Sequence, residues 1–369
     1  MVIKEIILKN YRNYESAEIA PCAEVTVFTG GNAQGKTNIL EAVYLCCTGR
    51  SHRTSHDREL IKTGEDIAYV KLTVLRRDGE HEVEIALSGA GKRIIKINGS
   101  RAARSGELLG HVTGVLFAPE DLRMVKDGPA LRRRFMDMEL SQLRPSYYYA
   151  LQRYNRALKQ RGALLRQIAA GAQTADTLDM WDEELIQSGS EIMHIRAEFV
   201  KKLAERASVI HSGISGEKER LDVTYEPDTE IRQSAADTAC ALGEALLACR
   251  ANDIKRLVTS AGPHRDDIGV FVNGMDARAF GSQGQVRTCA LSLKLSEIEL
   301  MREETGEAPV LMLDDVMSEL DPERRRLLID RLTGVQTLVT CTDKNDLAGA
   351  NAGLMISVKN AVLTQEERL

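Results

Sequence analysis

Four residues carry the chemistry most clearly: Lys36, Thr37, Asp314 and Asp315. Lys36-Thr37 closes the run Gly30-Gly31-Asn32-Ala33-Gln34-Gly35-Lys36-Thr37, the pattern G-x-x-x-x-G-K-T. A lysine and a hydroxyl at this spacing, after two glycines, suit a bound polyphosphate. The ammonium reaches the terminal phosphates, the hydroxyl ligates Mg²⁺, and the glycines let backbone N–H groups approach the oxygens. Asp314-Asp315 ends the apolar run Val310-Leu311-Met312-Leu313. An acid there holds the same Mg²⁺, and the next acid is placed to orient or deprotonate water. Alone, this segment also reads as a strand ending in an Asp-Asp turn. Paired with the Gly-rich loop it reads as the second half of a nucleoside triphosphate site.

Such residues need rigid elements behind them. Val25 to Phe28, ending at Thr29, has the character of a buried strand, and Thr37, Ile39, Leu40, Ala42, Val43 and Leu45 have helical spacing. Strand, Gly-rich loop and helix is the context that makes the pattern a mechanism. A strand is expected over 2–8, a polar aromatic turn over 10–14 and a short strand over 16–19. Residues 67–75, 81–87 and 93–97 alternate as antiparallel strands, with Arg77-Asp78-Gly79 and Asn98-Gly99 as turns. A further strand spans 112–117. From Ala130 the pattern turns helical. Tyr147, Leu151, Tyr154, Leu158, Leu165 and Ile168 form one amphipathic run, and Trp181, Leu185, Ile192, Ile195, Phe199 and Leu203 another. Together they predict a helical hairpin whose aromatic stripe is core rather than a base-stacking platform. A strand over 221–225 and a helix over 231–250 lead back. The last third alternates again: strand 268–272, helix 282–301, strand 310–313, helix 322–332, and strands 337–340 and 354–358.

Composition bounds the class. The chain has 369 residues, 43% hydrophobic and 28% charged, as in a globular protein of one large or two ordinary domains. No apolar run is long enough for a membrane span, and the N-terminus enters a strand pattern with no signal peptide in view, so a cytoplasmic setting is expected. Seven cysteines, with no C-x-x-C pair, suggest neither a disulfide framework nor a zinc site. Net charge of −5 neither suggests nor excludes nucleic acid, which needs only a local basic surface.

Most of the chain lies between Lys36 and Asp314, too far for a compact nucleotide kinase. An insertion between two halves of one ATPase resembles the ABC-type ATPases of DNA repair and chromosome maintenance. Phe280-Gly281-Ser282-Gln283-Gly284-Gln285 resembles the ABC signature loop, which meets the γ-phosphate held by a second subunit, and the same residues also read as a serine-capped helix start. Ser318-Glu319-Leu320-Asp321 resembles the D-loop at the dimer interface. Thr342 stands where the switch histidine is usual, a departure from the ABC pattern.

A narrower resemblance runs along the whole chain, from Leu8-Lys9-Asn10-Tyr11-Arg12-Asn13-Tyr14 onward. Phe117-Ala118-Pro119-Glu120-Asp121-Leu122, Val125-Lys126-Asp127-Gly128-Pro129, Arg132-Arg133-Arg134-Phe135, Asp137, Gly262-Pro263-His264-Arg265-Asp266-Asp267, Gly281 to Thr288 and Leu313-Asp314-Asp315-Val316 are similar to the bacterial RecF recombination-repair family. The resemblance implies an α/β ABC-type P-loop ATPase head, a mixed sheet core with an appended antiparallel sheet, plus an inserted mainly helical arm. The expected division is 1–129, 130–250 and 251–369. It implies DNA binding at single-strand gaps or single/double-strand junctions in repair, replication and the SOS response, and RecA loading with RecO and RecR. It implies an ATP-dependent homodimer released by slow, DNA-dependent hydrolysis. The implied cofactors are ATP and Mg²⁺. The implied nucleotide contacts are Gly30, Gly31, Asn32, Ala33, Gln34, Gly35, Lys36, Thr37 and Asn38, with Ser282, Gly284 and Gln285 from the other protomer; Thr37 and Asp314 hold the metal, and Lys36, Asp314 and Asp315 serve catalysis.

Other readings stay open at this level. Lys92, Arg93, Lys96, Arg101, Arg104, Arg132, Arg133 and Arg134 are candidates for DNA phosphates, or singly are surface cations or ion-pair partners. The basic loop Thr48-Gly49-Arg50-Ser51-His52-Arg53 suits phosphate, DNA or solvent. His264-Arg265-Asp266-Asp267 is by composition a metal or catalytic cluster, or a structural turn. A different SMC-type head in chromosome maintenance is the alternative, though an arm without sustained heptads cannot make a long coiled coil. A small-molecule phosphotransferase leaves Ser282 and the 318–321 loop unused, and a transporter motor needs a membrane partner that nothing identifies.

Overall fold

A computed structural model describes residues 1–330, 333–342 and 353–366. By compactness the chain forms two units, Met1–Arg123 with Ala290–Leu369, and Met124–Cys289.

In the first unit, β1 (Val2–Tyr11), β2 (Tyr14–Ile19), β4 (Ile67–Arg76), β5 (Gly79–Ser88), β6 (Arg93–Ile97) and β7 (Ser100–Arg101) pair antiparallel in the order β2-β1-β4-β5-β6-β7. Their alternation puts one face in the core: Ile6 and Leu8 of β1, and Val70, Leu72 and Val74 of β4, are fully buried. The Asn98-Gly99 turn has both residues at positive φ, which supplies the reversal between β6 and β7. The other sheet runs β15-β14-β3-β13-β12-β8, from β3 (Val25–Thr29), β8 (Gly114–Phe117), β12 (Val310–Asp314), β13 (Thr337–Cys341), β14 (Leu354–Lys359) and β15 (Val362–Glu366). The five strands from β14 to β8 are parallel, and β15 pairs antiparallel at the edge. Every residue of β3, β12 and β13 is buried, which is why these strands read as unbroken apolar runs. Helix α1 (Lys36–Thr48) leaves the end of β3, and α8 (Pro322–Asp330) follows β12. The end of the expected 322–332 helix lies outside the described residues. Residues 362–366 have no strand in the sequence reading. That edge strand is short and polar, Val-Leu-Thr-Gln-Glu, and only pairing with β14 defines it.

The second unit holds α2 (Pro129–Leu143), α3 (Pro145–Ala169), α4 (Asp179–Ser215), β9 (Leu221–Glu226), α5 (Ala235–Arg256), β10 (Asp267–Val272), β11 (Met275–Asp276), α6 (Ala277–Phe280) and the start of α7 (Gln283–Thr305). Helices α3 and α4 are the expected hairpin, and Tyr147, Tyr154, Phe199 and Leu203 are buried. Helix α2 is a further helix, opened by Pro129 at its first position. The unit continues beyond residue 250 because β10 pairs along its length with β9, from Asp267↔Glu226 to Val272↔Leu221. That pairing ties the segment after α5 to the arm in one small sheet.

Candidate functional site

The loop between β3 and α1 is shaped by contacts that leave room only for glycine at two places. Gly30 has φ +150°, and a Cβ there would lie 2.3 Å from the carbonyl oxygen of Val358 in β14. Gly35 has φ +114°, and its Cβ would crowd the side chain of Asn13 and the Tyr14 hydroxyl, both within 2.9 Å. Tyr14 Oη donates to Gly35 O at 3.1 Å, and Asn13 Nδ2 donates to Gln34 O at the same distance. From the other side, Ala361 N donates to Gln34 O at 3.0 Å and Asn360 N to Gln34 Oε1 at 2.6 Å. The loop is therefore braced between the β1–β2 turn and the β14–β15 turn.

The backbone N–H groups of Gly31, Asn32, Ala33, Gln34 and Gly35 have no hydrogen-bond partner among the described residues. Lys36 is almost wholly buried, and its Nζ donates to Gly30 O at 2.8 Å and Gly31 O at 3.1 Å. A ring of orphan donors with an ammonium tucked beneath it fits a polyphosphate. Asn38 Nδ2 donates to Asn13 Oδ1 at 2.8 Å, and its own Oδ1 accepts from Arg53 at 2.9 Å.

Thr37 Oγ1 donates to Asp314 Oδ1 at 2.8 Å, joining residues 277 positions apart. Thr340 at the end of β13 donates to the same oxygen, also at 2.8 Å, and its Oγ1 accepts from Asp315 N at 2.9 Å. Burial drives the Asp314 pKa up, and the two threonine hydroxyls oppose that. A carboxylate held out of water beside a hydroxyl is a donor set that fits Mg²⁺. Asp315 has φ 51°, a left-handed conformation, and its carboxylate has no partner among the described residues. Thr340 escaped the sequence reading. Its only signal is a polar residue closing an apolar strand.

On α1, Glu41 is fully buried and accepts from Arg12 Nε at 2.8 Å, Arg12 Nη2 at 2.6 Å and Ser51 Oγ at 2.6 Å. Arg53 lies 3.7 Å from the same carboxylate while bonded to Asn38. Arg53 of the basic loop is thus held at the edge of the site. Arg93 is spent structurally, paired with Asp57 and donating to Gly49 O. Lys92, Arg101 and Arg104 are exposed, and Lys96 has a loose pairing with Glu84 at 3.8 Å.

In the second unit, Ser282 caps α7 reciprocally with Gln285. Gln285 N donates to Ser282 Oγ at 3.2 Å, and Ser282 N donates to Gln285 Oε1 at 2.9 Å. The cap uses Ser282 Oγ only as an acceptor, so capping and donation to a phosphate are compatible. Gly284 lies in the first turn of α7. Ser318 Oγ donates to Asp315 O at 2.8 Å in the short 3-10 turn after β12, and Asp321 caps α8, accepting from Arg324 N at 3.0 Å. Thr342 is exposed just past β13, and Asp343 lies outside the described residues.

His264-Arg265-Asp266-Asp267 resolves as a structural turn. Asp266 is fully buried and accepts from Arg196 at 2.9 Å, from Tyr225 Oη and from Asp228 N at 3.0 Å. Asp267 accepts from Arg132 at 2.6 and 2.8 Å. His264 lies 2.7 Å from Tyr154 Oη and 3.0 Å from Thr259 O, and burial lowers its pKa. No cluster of three or more metal-ligating side chains occurs among the described residues. Arg132 and Arg133 are both engaged here, Arg133 donating to Asp266 O at 2.7 Å.

A phosphate loop on a parallel sheet, an acid at the end of β12 in the same sheet, and an inserted helical unit leading to a serine-capped α7 define a P-loop ATPase head of the ABC/SMC class. The profile of the RecF/RecN/SMC N terminal domain matches residues 2–364. A DNA replication and repair protein RecF from Acetivibrio thermocellus is 43% identical over 355 residues, covering 96% of each chain. Solved structures of the recombination mediator protein RecF in the RecFOR pathway, with ATPrS and with ATP, superpose with TM-scores of 0.93 and 0.92 at 37% and 36% identity, over 99% of this chain and 98% of each of theirs. The Smc head domain from Pyrococcus furiosus shares the fold, with a TM-score of 0.58 at 16% identity over 99% of this chain and 96% of that one. The chain belongs to the RecF family of DNA replication and repair proteins.

Proposed function

We propose that this protein is an ATP-gated, DNA-binding clasp of recombinational repair. The observation that carries the reading is the Thr37–Asp314–Thr340 cluster, closed at 2.8 Å on each side beneath a loop of orphan N–H donors. Lys36 and the N–H groups of residues 31–35 hold the phosphates of ATP, and Thr37 and Asp314 hold Mg²⁺, which neutralises phosphate charge when bound. Lys36 exchanges its two carbonyl contacts for phosphate oxygens. Asp315 is placed to orient or deprotonate water. Ser282, with Gly284 and Gln285, meets the γ-phosphate held by a second copy, so each site is complete only in the dimer and turnover is slow.

The dimer closes a DNA-binding surface at single-strand gaps or single/double-strand junctions, and hydrolysis opens it. In this reading the protein is cytoplasmic and works with RecO and RecR to load RecA. The whole-chain likeness to RecF, including RecF solved with ATP, supports it. Among the described residues, no helix is long and apolar enough to cross a membrane.

Sedimentation with and without ATP is the direct test, on wild type, Lys36→Arg and Ser282→Arg. ATP-dependent dimers are expected for wild type and lost in Ser282→Arg, although that variant still binds ATP. Normal dimers of Ser282→Arg would sink the model. Gapped DNA added to the same experiment should bind only with ATP present.

A further inference from the structure

The segment around Ser282 is tied into the helical unit by side chains that the nucleotide chemistry does not use. Lys126 Nζ donates to Gly281 O at 3.0 Å and to Arg278 O at 3.2 Å. A Cβ on Gly281 would lie 2.4 Å from Ala277 O, so the chain can pass there only without a side chain. Four residues on, Gln285 spends its amide oxygen on Ser282 N and turns its Nε2 to Glu219 Oε1, 2.9 Å away. The second oxygen of Glu219 lies 3.3 Å from Nε2 of His211, a fully buried imidazole on α4.

Glu219 is itself well anchored. Its N–H donates to Ser215 Oγ at 3.3 Å in the last turn of α4. The next residue, Arg220, exchanges bonds with Asn273: Arg220 N to Asn273 Oδ1 and Asn273 N to Arg220 O, each at 2.9 Å. The carboxylate therefore moves with the end of α4 and the β10–β11 turn.

We infer that Glu219 is a positioning residue for Ser282, so that the end of the arm helix α4 sets the geometry of the signature-like loop. The inference rests on the reading of Ser282 as a phosphate contact in the dimer. Its logic is the polarity of the Gln285 amide. Reversed, that amide would turn its oxygen on the Glu219 carboxylate and its NH₂ on Ser282 N–H, two repulsive contacts. The negative charge of Glu219 thus selects one orientation. In that orientation Ser282 N–H is satisfied and Ser282 Oγ accepts from Gln285 N, which leaves the hydroxyl proton as the group free to donate outward. Displacement of the last turn of α4 shifts Glu219, releases Gln285 and lets the loop relax.

The test measures ATP-dependent dimerisation by sedimentation velocity and monomer affinity for ATP with a fluorescent ATP analogue. The variants are Glu219→Ala, Glu219→Gln, Gln285→Ala, the Glu219→Ala/Gln285→Ala double and Ser282→Arg. Losing a hydrogen bond to a charged group should make the Glu219→Ala dimer about tenfold weaker, with monomer ATP affinity as in wild type and a cooperative melt retained. Gln285→Ala, which also loses the bond to Ser282 N, should weaken it at least as much, and the double variant should match Gln285→Ala, because Glu219 acts only through Gln285. Glu219→Gln keeps an acceptor oxygen but removes the charge that orients the Gln285 amide, so its dimer should be weaker than wild type and stronger than that of Glu219→Ala. Wild-type dimerisation by Glu219→Ala, or additive losses in the double variant, would overturn the inference while loss in Ser282→Arg still upheld the clasp. Normal dimers of Ser282→Arg would instead remove the clasp reading itself.

Discussion

Two buried carboxylates of the first unit, Asp314 and Glu41, answer to pH in opposite senses. Asp314 is raised by burial against the pull of the Thr37 and Thr340 hydroxyls. Its penalty is absent below the ordinary aspartate range of about 3.9, and stability is lost as pH rises through the raised value. Asp314→Asn should therefore unfold at a higher temperature than wild type at pH 7, and the advantage should vanish on acidification. Under the proposed function the same variant should also lose Mg²⁺-dependent ATP binding, a conflict between stability and function at one side chain. Glu41 also feels burial as its largest influence, upward, yet the Arg12 and Ser51 hydrogen bonds and the Arg12 and Arg53 charges bring it below the usual carboxylate range. Its contribution is complete above the unfolded glutamate value and is lost as pH falls through the folded one. Glu41→Gln should cost about 2 kcal/mol at neutral pH, shrinking toward low pH, in thermal melts across that range. A higher melting temperature for Glu41→Gln at pH 7 would contradict this account.

Among the elements, the phosphate loop and the Gly262-to-Asp267 turn show how unlike pieces are made rigid. The loop is braced by backbone and amide bonds from two turns, and Gly30 is required because β14 passes against its Cα. The turn is held by buried guanidinium groups. Arg196, almost wholly buried, bonds Asp266, Asp137, Tyr147 Oη and Pro263 O, so it gathers α2, α3 and the turn onto α4. Arg161 does the same for Asp182, Asp253 and Thr259. Replacing Arg196 with methionine leaves Asp266 buried without its cation, an expected cost of about 3–5 kcal/mol by denaturant titration. A loss within experimental error would mean that the turn is held by backbone alone. Strands and long helices were legible in the sequence because each carries its own periodicity. Helix α2 and strand β15 were not: α2 carries three consecutive arginines and Glu139, of which Arg132 and Glu139 are buried by partners, and β15 is defined by its neighbour.

For the whole molecule, the prediction concerns salt. Of the basic residues that sequence alone offered for DNA, Arg93, Arg132 and Arg133 are consumed by internal partners, whereas Lys92, Arg101 and Arg104 are exposed. Under the proposed function, the double substitution Lys92→Ala/Arg101→Ala should lower the slope of log affinity against log salt for gapped DNA by roughly 1–2. Its Tm should be unchanged. An unaltered slope would move the DNA surface elsewhere. Arg93→Ala should instead lower Tm, because it removes the partner of Asp57.

By itself the sequence determined the class of the protein. The Gly30-to-Thr37 loop, the apolar strand before Asp314 and the family-like segments between them are local patterns, and local patterns survive in one dimension. Tertiary structure alone decided which polar residues act together, because hydrogen bonds between distant positions leave no periodic trace. Thr340 joins Asp314, Asn360 braces Gln34, and Glu219 reaches Gln285 only once the sheets and helices are assembled. It also decided that His264-Arg265-Asp266-Asp267 is a structural turn anchored by the buried Asp266, since composition cannot tell a metal ligand from an aspartate already satisfied by arginine.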